Sequence, residues 1–291
     1  MSFTAVVVIH DSARHLDALL RSIERHLADE PPQLVVVDSG SRDDGAAIAR
    51  AAGAETIALD GNPGFGAANN AGLERAAHPV TVLLNPDCEL VDGSLAALAR
   101  RAATAPHALL VPRLLNPDGT VQRSAHPVPG APGGLLAALW PPRVMPRMLR
   151  ERYEPWRAER PRRVGWAIAA FVAARTELLR RLGPFDPAAF LFYEDLDLCL
   201  RARATGVPTE LRPEARVVHH GSHATGPALG ARAFDLRACR RREVIGARLG
   251  ARALAVDDAA QALTFGARAL AGRRRADNLA ELRSLFRARR G

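Results

Sequence analysis

The sequence contains no lysine, so all 40 of its basic residues are arginines. Cysteine is scarce as well: Cys88, Cys199 and Cys239 are the only three in 291 residues. An odd number without paired spacing excludes a disulfide framework and a cysteine zinc site, and it fits a reducing cytosol. No apolar run approaches the roughly 18 residues that a bilayer span needs, and no basic-then-apolar leader opens the chain. The expectation is a cytoplasmic protein, neither exported nor integral to a membrane. Aromatics are few, and the basic C-terminal region holds only Phe234, Phe265 and Phe286. Without aromatic interleaving for base stacking, nucleic acid is not an expected partner.

What is present is ordinary globular composition, 48% hydrophobic and 24% charged, in a chain long enough for a sizeable core. The charge is unevenly spread. Residues 231–291 hold 15 arginines against six acids, a surplus equal to the net +9 of the whole chain. Such a tail suits an anionic membrane surface, an oligomer contact, or simply solvent.

Periodicity gives the organisation. Apolar runs at 4–9, 34–37, 55–59 and 80–84 read as buried strands, with helices at 12–28, 43–52 and after the loop 62–72. Strand and helix in alternation predict an α/β fold with a parallel sheet, whose ligands bind at the carboxyl edge. Asn116-Pro-Asp-Gly119 is a hairpin turn signal, and residues 126–163, rich in proline and arginine, predict a long loop with short helices. A strand at 164–173, helices at 175–182 and 194–204, and strands at 207–211 and 215–219 come next. From 227 onward the pattern is helical. The division is therefore residues 1–226 as the α/β domain and 227–291 as a basic helical extension.

The candidate site residues cluster at strand ends. Asp38 closes the second strand and reads either as a base or ribose acceptor or as a turn aspartate. The loop 62–72 offers Asn62, Gly64, Gly66 and Asn69 where backbone can approach a phosphate beside a helix N-terminus, although it lacks the dinucleotide fingerprint. Asn85-Pro-Asp87 ends an unbroken buried strand, where a hard cation could bridge its carboxylate to a diphosphate. The identical tripeptide at 116–118 is followed by glycine and reads as a simple turn. Tyr193-Glu-Asp-Leu-Asp197 comes directly after the apolar Phe190-Leu-Phe. An apolar approach that carries acids into a partly dry pocket is how a general base is made, though acids also suit a helix start. His219, His220 and His223 lie at the end of another strand and include good metal ligands.

In order, VVVDSGSRDDG, NPGFGAANNAG, VTVLLNPDCEL, the Gly-Trp strand, GPFDPAAFLFYEDLDLCLRARATG and VVHHGSHATG resemble glycosyltransferase family 2, over about residues 4–226. Within it the closest resemblance is to bacterial rhamnosyltransferases of cell-wall and polysaccharide synthesis. The resemblance implies a GT-A fold: a mainly parallel sheet flanked by helices, with a Rossmann-like nucleotide-binding half. It implies an inverting transfer from a nucleotide-sugar donor, with dTDP-L-rhamnose favoured over UDP- or GDP-sugars, to a lipid-linked or glycan acceptor. Mg²⁺ or Mn²⁺ would sit on Asp87 and His219, with Asn85 in place of the family's first aspartate. Asp195 would be the catalytic base, supported by Glu194, and Trp166 would line the sugar or acceptor pocket. Asp38 would contact the nucleobase, and His10 stands in the segment Ile9-His10-Asp11-Ser12, where the family usually has Thr-Tyr-Asn. His126 stands where the rhamnosyltransferases often have arginine. The basic tail would allow peripheral contact with the inner face of the membrane.

Overall fold

The computed structural model describes residues 2–289 apart from 132–133, 136–137, 139–144, 184, 188, 222–229, 231 and 273. Strand β1 (Thr4–Ile9) is buried along its whole length, because its run of β-branched and apolar residues faces helices on both sides. Val7 and Ile9 join one core, with Leu16, Leu19, Leu20, Ile23 and Leu27 of helix α1 (Ala13–Leu27), while Val6 joins a second core on the opposite face. The apolar spacing of α1 places those leucines and Ile23 on one stripe, and each such side chain contributes about 1.5–3 kcal/mol on burial.

Strands β2 (Gln33–Asp38), β3 (Glu55–Ala58) and β4 (Val80–Leu84) run parallel to β1 in the order β3-β2-β1-β4. Helices α2 (Gly45–Ala51) and α3 (Phe65–Glu74) provide the crossovers. The chain order reverses between β1 and β4, and a crevice at such a switch point is where open sheets of this kind hold ligands.

Beyond β4 the sheet departs from purely parallel. After β5 (Cys88–Leu90), α4 (Ser94–Thr104) and β6 (Leu109–Leu115), and with the later strands β10 (Phe171–Arg175) and β11 (Thr209–His219), the path along the sheet continues β4-β10-β6-β11-β5. Strand β10 is antiparallel to both β4 and β6. The single strand expected at 164–173 is divided into β8 (Arg162–Val164), β9 (Trp166–Ala167) and β10. Gly165 is the reason: its N–H donates to His126 O at 2.8 Å, and a Cβ there would lie 2.0 Å from the Val128 nitrogen. This contact draws β9 out of the main sheet to pair with β7 (Ala125–His126). Conversely, the two strands expected at 207–211 and 215–219 are one, β11 (Thr209–His219), with a register shift between Arg212 and Arg216. Pro213 has no N–H to give the ladder there. The region 126–163 contains the short helix α5 (Arg147–Tyr153), as expected, and α6 (Thr176–Leu182) and α7 (Glu194–Ala204) come after it.

The C-terminal arm is helical. Helix α8 (Arg232–Leu270) turns at Gly250, whose φ of 84° and ψ of 173° suit a residue without Cβ, and α9 (Arg275–Ala288) packs beside it. Val244 and Ile245 of the arm are buried with Trp166, Leu196, Cys199 and Leu200. Arg241 makes two hydrogen bonds to Asp257, at 2.8 and 2.6 Å, and Arg242 pairs with Asp258. These ion pairs join the two sides of the Gly250 turn, and pairing is what makes two buried aspartates tolerable. Arg248 reaches Asp197 of α7 at 2.6 Å. Among the described residues, no helix is long and apolar enough to cross a membrane.

Candidate active site

A cleft of about 550 Å³ opens at the carboxyl ends of β1 and β4, and residues from β9, β11, α7 and the arm complete its walls. Asp87 and His219 both line it, because β5 pairs antiparallel with the end of β11 in a register that sets His219 opposite Cys88. His219 Nε2 lies 3.3 Å from Asp87 Oδ1, and the His220 N–H donates to Asp87 O at 2.9 Å. Burial acts to raise the Asp87 carboxyl, but the hydrogen bond and charge of His219, with the charge of His15, outweigh it and hold the group below its usual value.

The orientation of His219 is set by its other neighbour. Gln122 Nε2 faces two acceptors, Asn116 Oδ1 at 3.2 Å and His219 O at 3.3 Å, so its amide oxygen must be the atom 2.8 Å from His219 Nδ1. Nδ1 is then the donor. In the neutral ring, Nε2 therefore turns a bare lone pair toward a carboxylate. That arrangement calls for something positive between them, a proton or a metal ion. Nearby, Asn85 Oδ1 is buried without a hydrogen-bond partner, a further oxygen ligand in search of a donor or cation. The carboxylate, carbonyl and imidazole together fit Mg²⁺ or Mn²⁺ better than a soft metal. No cluster of three or more His, Cys, Asp and Glu ligands occurs among the described residues, so remaining coordination positions would fall to substrate oxygens and water.

The same cleft holds an acid pair. Phe192 and Tyr193 have φ of 72° and 61°, a left-handed conformation that bulky side chains adopt at a cost, and they lead directly into α7. Asp195 receives the N–H of Leu196 at 2.7 Å and that of Ala169 at 3.3 Å. Burial pushes its carboxyl up to about 6, against the lowering effect of these two donors. Glu194 is pushed up to about 8, by burial first and then by the charge of Asp195, and its Oε2 has no hydrogen-bond partner. Near neutral pH the pair is thus one carboxylate beside one carboxylic acid.

The remaining candidate residues divide. His10 lines the cleft and its Nδ1 contacts Ser39 O at 2.8 Å. Asn62 and Gly64 line it too. Asn62 Oδ1 accepts from Ser39 Oγ and from the Gly64 N–H. A Cβ on Gly64 would lie 2.4 Å from Phe190 O, the atom that accepts the Phe65 N–H, so this glycine lets two loops touch. Trp166 is in the wall, stacked on His126 with centroids 4.4 Å apart. His126 lies behind it, its pKa lowered to about 3 by burial and then by Arg123 and Arg241. Asp38, Gly66 and Asn69 do not line the cleft. Asp38 Oδ1 accepts the Ser41 N–H, Gly66 packs on Phe185, and Asn69 donates back to Phe65 O within its own helix. His220 pairs with Glu89 at 3.3 Å, and His223 lies outside the described residues.

Sequence reasoning missed Gln122, His15 and Arg237. Gln122 had no motif around it. Arg237 lines the cleft although it belongs to the arm, and nothing distinguishes it in sequence from the arginines around it.

Residues 4–170 match the family model described as Glycosyl transferase family 2. Over 241 residues the chain is 32% identical to the N-acetylglucosaminyl-diphospho-decaprenol L-rhamnosyltransferase of Mycobacterium tuberculosis H37Rv, covering 76% of each. A 60-residue stretch, 21% of this chain and 23% of the relative, is 33% identical to rhamnosyltransferase WbbL of Escherichia coli K12. Among solved structures, mannosyltransferase PcManGT from Pyrobaculum calidifontis, in complex with GDP-Man and Mn²⁺, superposes with a TM-score of 0.60 at 17% identity, covering 98% of this chain and 85% of that one. Glucosyl-3-phosphoglycerate synthase from M. tuberculosis gives 0.55 at 20% identity, covering 85% and 79%. The latter two are likenesses of fold. A family match over more than half of the length, joined to the mycobacterial relative, establishes that this chain is a glycosyltransferase with the GT-A fold and belongs to glycosyltransferase family 2.

Proposed function

We propose that the protein transfers L-rhamnose from dTDP-L-rhamnose to a hydroxyl of a lipid-linked or polysaccharide acceptor, with inversion at the anomeric carbon. The observation that carries this reading is one cleft holding both the Asp87–His219 pair and Asp195. The names of the mycobacterial and E. coli relatives support the sugar and, for the former, a lipid-diphosphate acceptor.

His10, Ser39, Asn62 and Gly64 form the wall nearest β1, suited to the nucleoside. Asp38 acts one step behind, bracing the turn that carries Ser39. Asp87 and His219, with Asn85, would hold Mg²⁺ or Mn²⁺, which would neutralise charge building on the departing diphosphate. Asp195, ionised at neutral pH, accepts the proton of the acceptor hydroxyl as its oxygen attacks the anomeric carbon. The bond from that carbon to the diphosphate oxygen breaks with its electron pair on the diphosphate. Attack and departure on opposite faces invert the centre, and no enzyme-linked sugar forms. Neutral Glu194 keeps a second negative charge away from Asp195, and Trp166 supplies an apolar face for the sugar or acceptor ring.

A lipid-linked acceptor is met at a membrane. The arm is the surface suited to peripheral contact there: it carries the basic surplus and the exposed side chains Leu263, Leu270 and Phe286.

The test is a panel of dTDP-, UDP- and GDP-sugars with Mn²⁺ or Mg²⁺ and a short-chain prenyl-diphosphate-linked sugar as acceptor. Consumption of dTDP-L-rhamnose, with product of opposite anomeric configuration by NMR, is the expected result. Use of another donor would transfer the reading to that sugar, and retention of configuration would overturn the single-displacement mechanism.

A further inference from the structure

Of all the arginines in this chain, one lines the cleft among the described residues, and it comes from the C-terminal arm. The Arg237 guanidinium lies 5.5 Å from the ring centre of Phe192 and 5.0 Å from that of Phe234. One of its nitrogens meets Glu281 Oε1 at 3.1 Å, and its Nε is buried without a partner. Two aromatic faces and one carboxylate thus fix a permanent cation whose hydrogen-bonding capacity is not used up.

Its position in the cleft sets its task. Phe192 belongs to the strained segment that delivers Asp195, so Arg237 stands on the side of the proton acceptor. The cationic groups acting on Asp87 are instead His219 and His15, from β11 and α1. The cleft therefore offers negative charge two sets of cationic groups, His219 with His15 and, from the arm, Arg237. A transferase that joins a nucleoside diphosphate donor to a diphosphate-linked lipid must hold two diphosphates at once. Both repel each other and the Asp195 carboxylate.

We propose that Arg237 binds the diphosphate of the acceptor, leaving the donor diphosphate to the Asp87–His219 end. The inference rests on the lipid-diphosphate acceptor reading above and adds which residue recognises that group. A guanidinium is well matched to it, since its planar fork donates two parallel hydrogen bonds to phosphate oxygens. The arm then does more than cover Trp166: it makes transfer selective for acceptors bearing diphosphate.

The experiment compares full-length wild type, Arg237→Lys and Arg237→Gln on two acceptors carrying the same sugar, one as a short-chain prenyl diphosphate and one as an alkyl glycoside. Arg237→Gln should raise KM for the diphosphate acceptor about 10- to 100-fold, with KM for the donor and the rate on the alkyl glycoside within about twofold of wild type. Arg237→Lys should recover part of the loss. A second measurement needs no variant: decyl diphosphate should inhibit wild type competitively against the acceptor and not against the donor, and decanol should not inhibit. Equal losses on both acceptors, a raised donor KM, or competition of decyl diphosphate with the donor would overturn the assignment. Absence of transfer to either acceptor from any nucleotide sugar refutes the function itself, whereas transfer to both with equal dependence on Arg237 refutes only this inference.

Discussion

Lowering the pH is the sharpest perturbation of the proposed base. With its carboxyl held near 6 by burial, Asp195 is almost fully ionised at about pH 7.5, and only about one molecule in ten is ionised at about pH 5. An unperturbed aspartate, with a pKa of about 3.9, would still be over 90% ionised there. The turnover number at saturating donor, acceptor and Mn²⁺ should therefore fall about tenfold between those two values. Saturating metal keeps occupancy of the metal site constant across the range. Asp195→Asn should lose about 10²- to 10⁴-fold in turnover, and what remains should be independent of pH across this range. Glu194→Gln should keep the acidic limb, because Glu194 is already neutral where Asp195 titrates. A profile flat from pH 5 to 7.5, or an acidic limb that survives in Asp195→Asn, would refute the assignment of the base.

Further expectations concern other parts of the cleft. Gln122→Leu removes the acceptor that fixes the His219 tautomer and should weaken Mn²⁺ binding about 10- to 100-fold, read by EPR titration without turnover. The raised pKa of Glu194 means that the folded protein holds its proton more tightly than the unfolded chain. The stability this gives is complete below about pH 4.5 and lost as pH rises toward about 8, so Glu194→Gln should gain in Tm over wild type progressively across that window. Gly64→Ala places a Cβ against Phe190 O at φ of 101° and should destabilise the protein by about 2–4 kcal/mol in chemical denaturation. Leu270→Asp combined with Phe286→Asp should reduce co-sedimentation with anionic vesicles while sparing turnover on a short-chain soluble acceptor. Unchanged binding would remove the arm from the membrane contact.

Much of the nucleotide-binding half was legible because its signals are local. Runs such as TAVVVI and VTVLL can only be satisfied as doubly covered strands, and their ends mark the ligand edge. The two Asn-Pro-Asp tripeptides differ in the next residue, Cys88 against Gly119, and the second is the expected turn, closed by the Gly119 N–H on Asn116 O at 2.8 Å. Its further part was invisible: Asn116 orients Gln122, which orients His219 toward the first tripeptide. The reversed strand β10 could not be read, since a direction of travel leaves no mark in apolar spacing. Nor could the seating of the arm. Arg241 with Asp257 and Arg242 with Asp258 straddle Gly250, each pair 16 residues apart, but such spacing has meaning only once the turn is known. Asn69 misled because an asparagine beside glycines looks available, whereas its amide satisfies a carbonyl of its own helix.

Strand β5 is only three residues long and lies at the sheet border, where among the described strands it pairs with β11 alone. Buried Cys88 and Leu90 anchor it in the core, and its pairing with β11 is what holds Asp87 beside His219. Any ligand that grips both residues also fastens the end of the sheet, and at a concentration 100-fold above its Kd it would add about 2.7 kcal/mol to the native state. The border strand is thus a clasp, and the substrate complex it serves would tighten it.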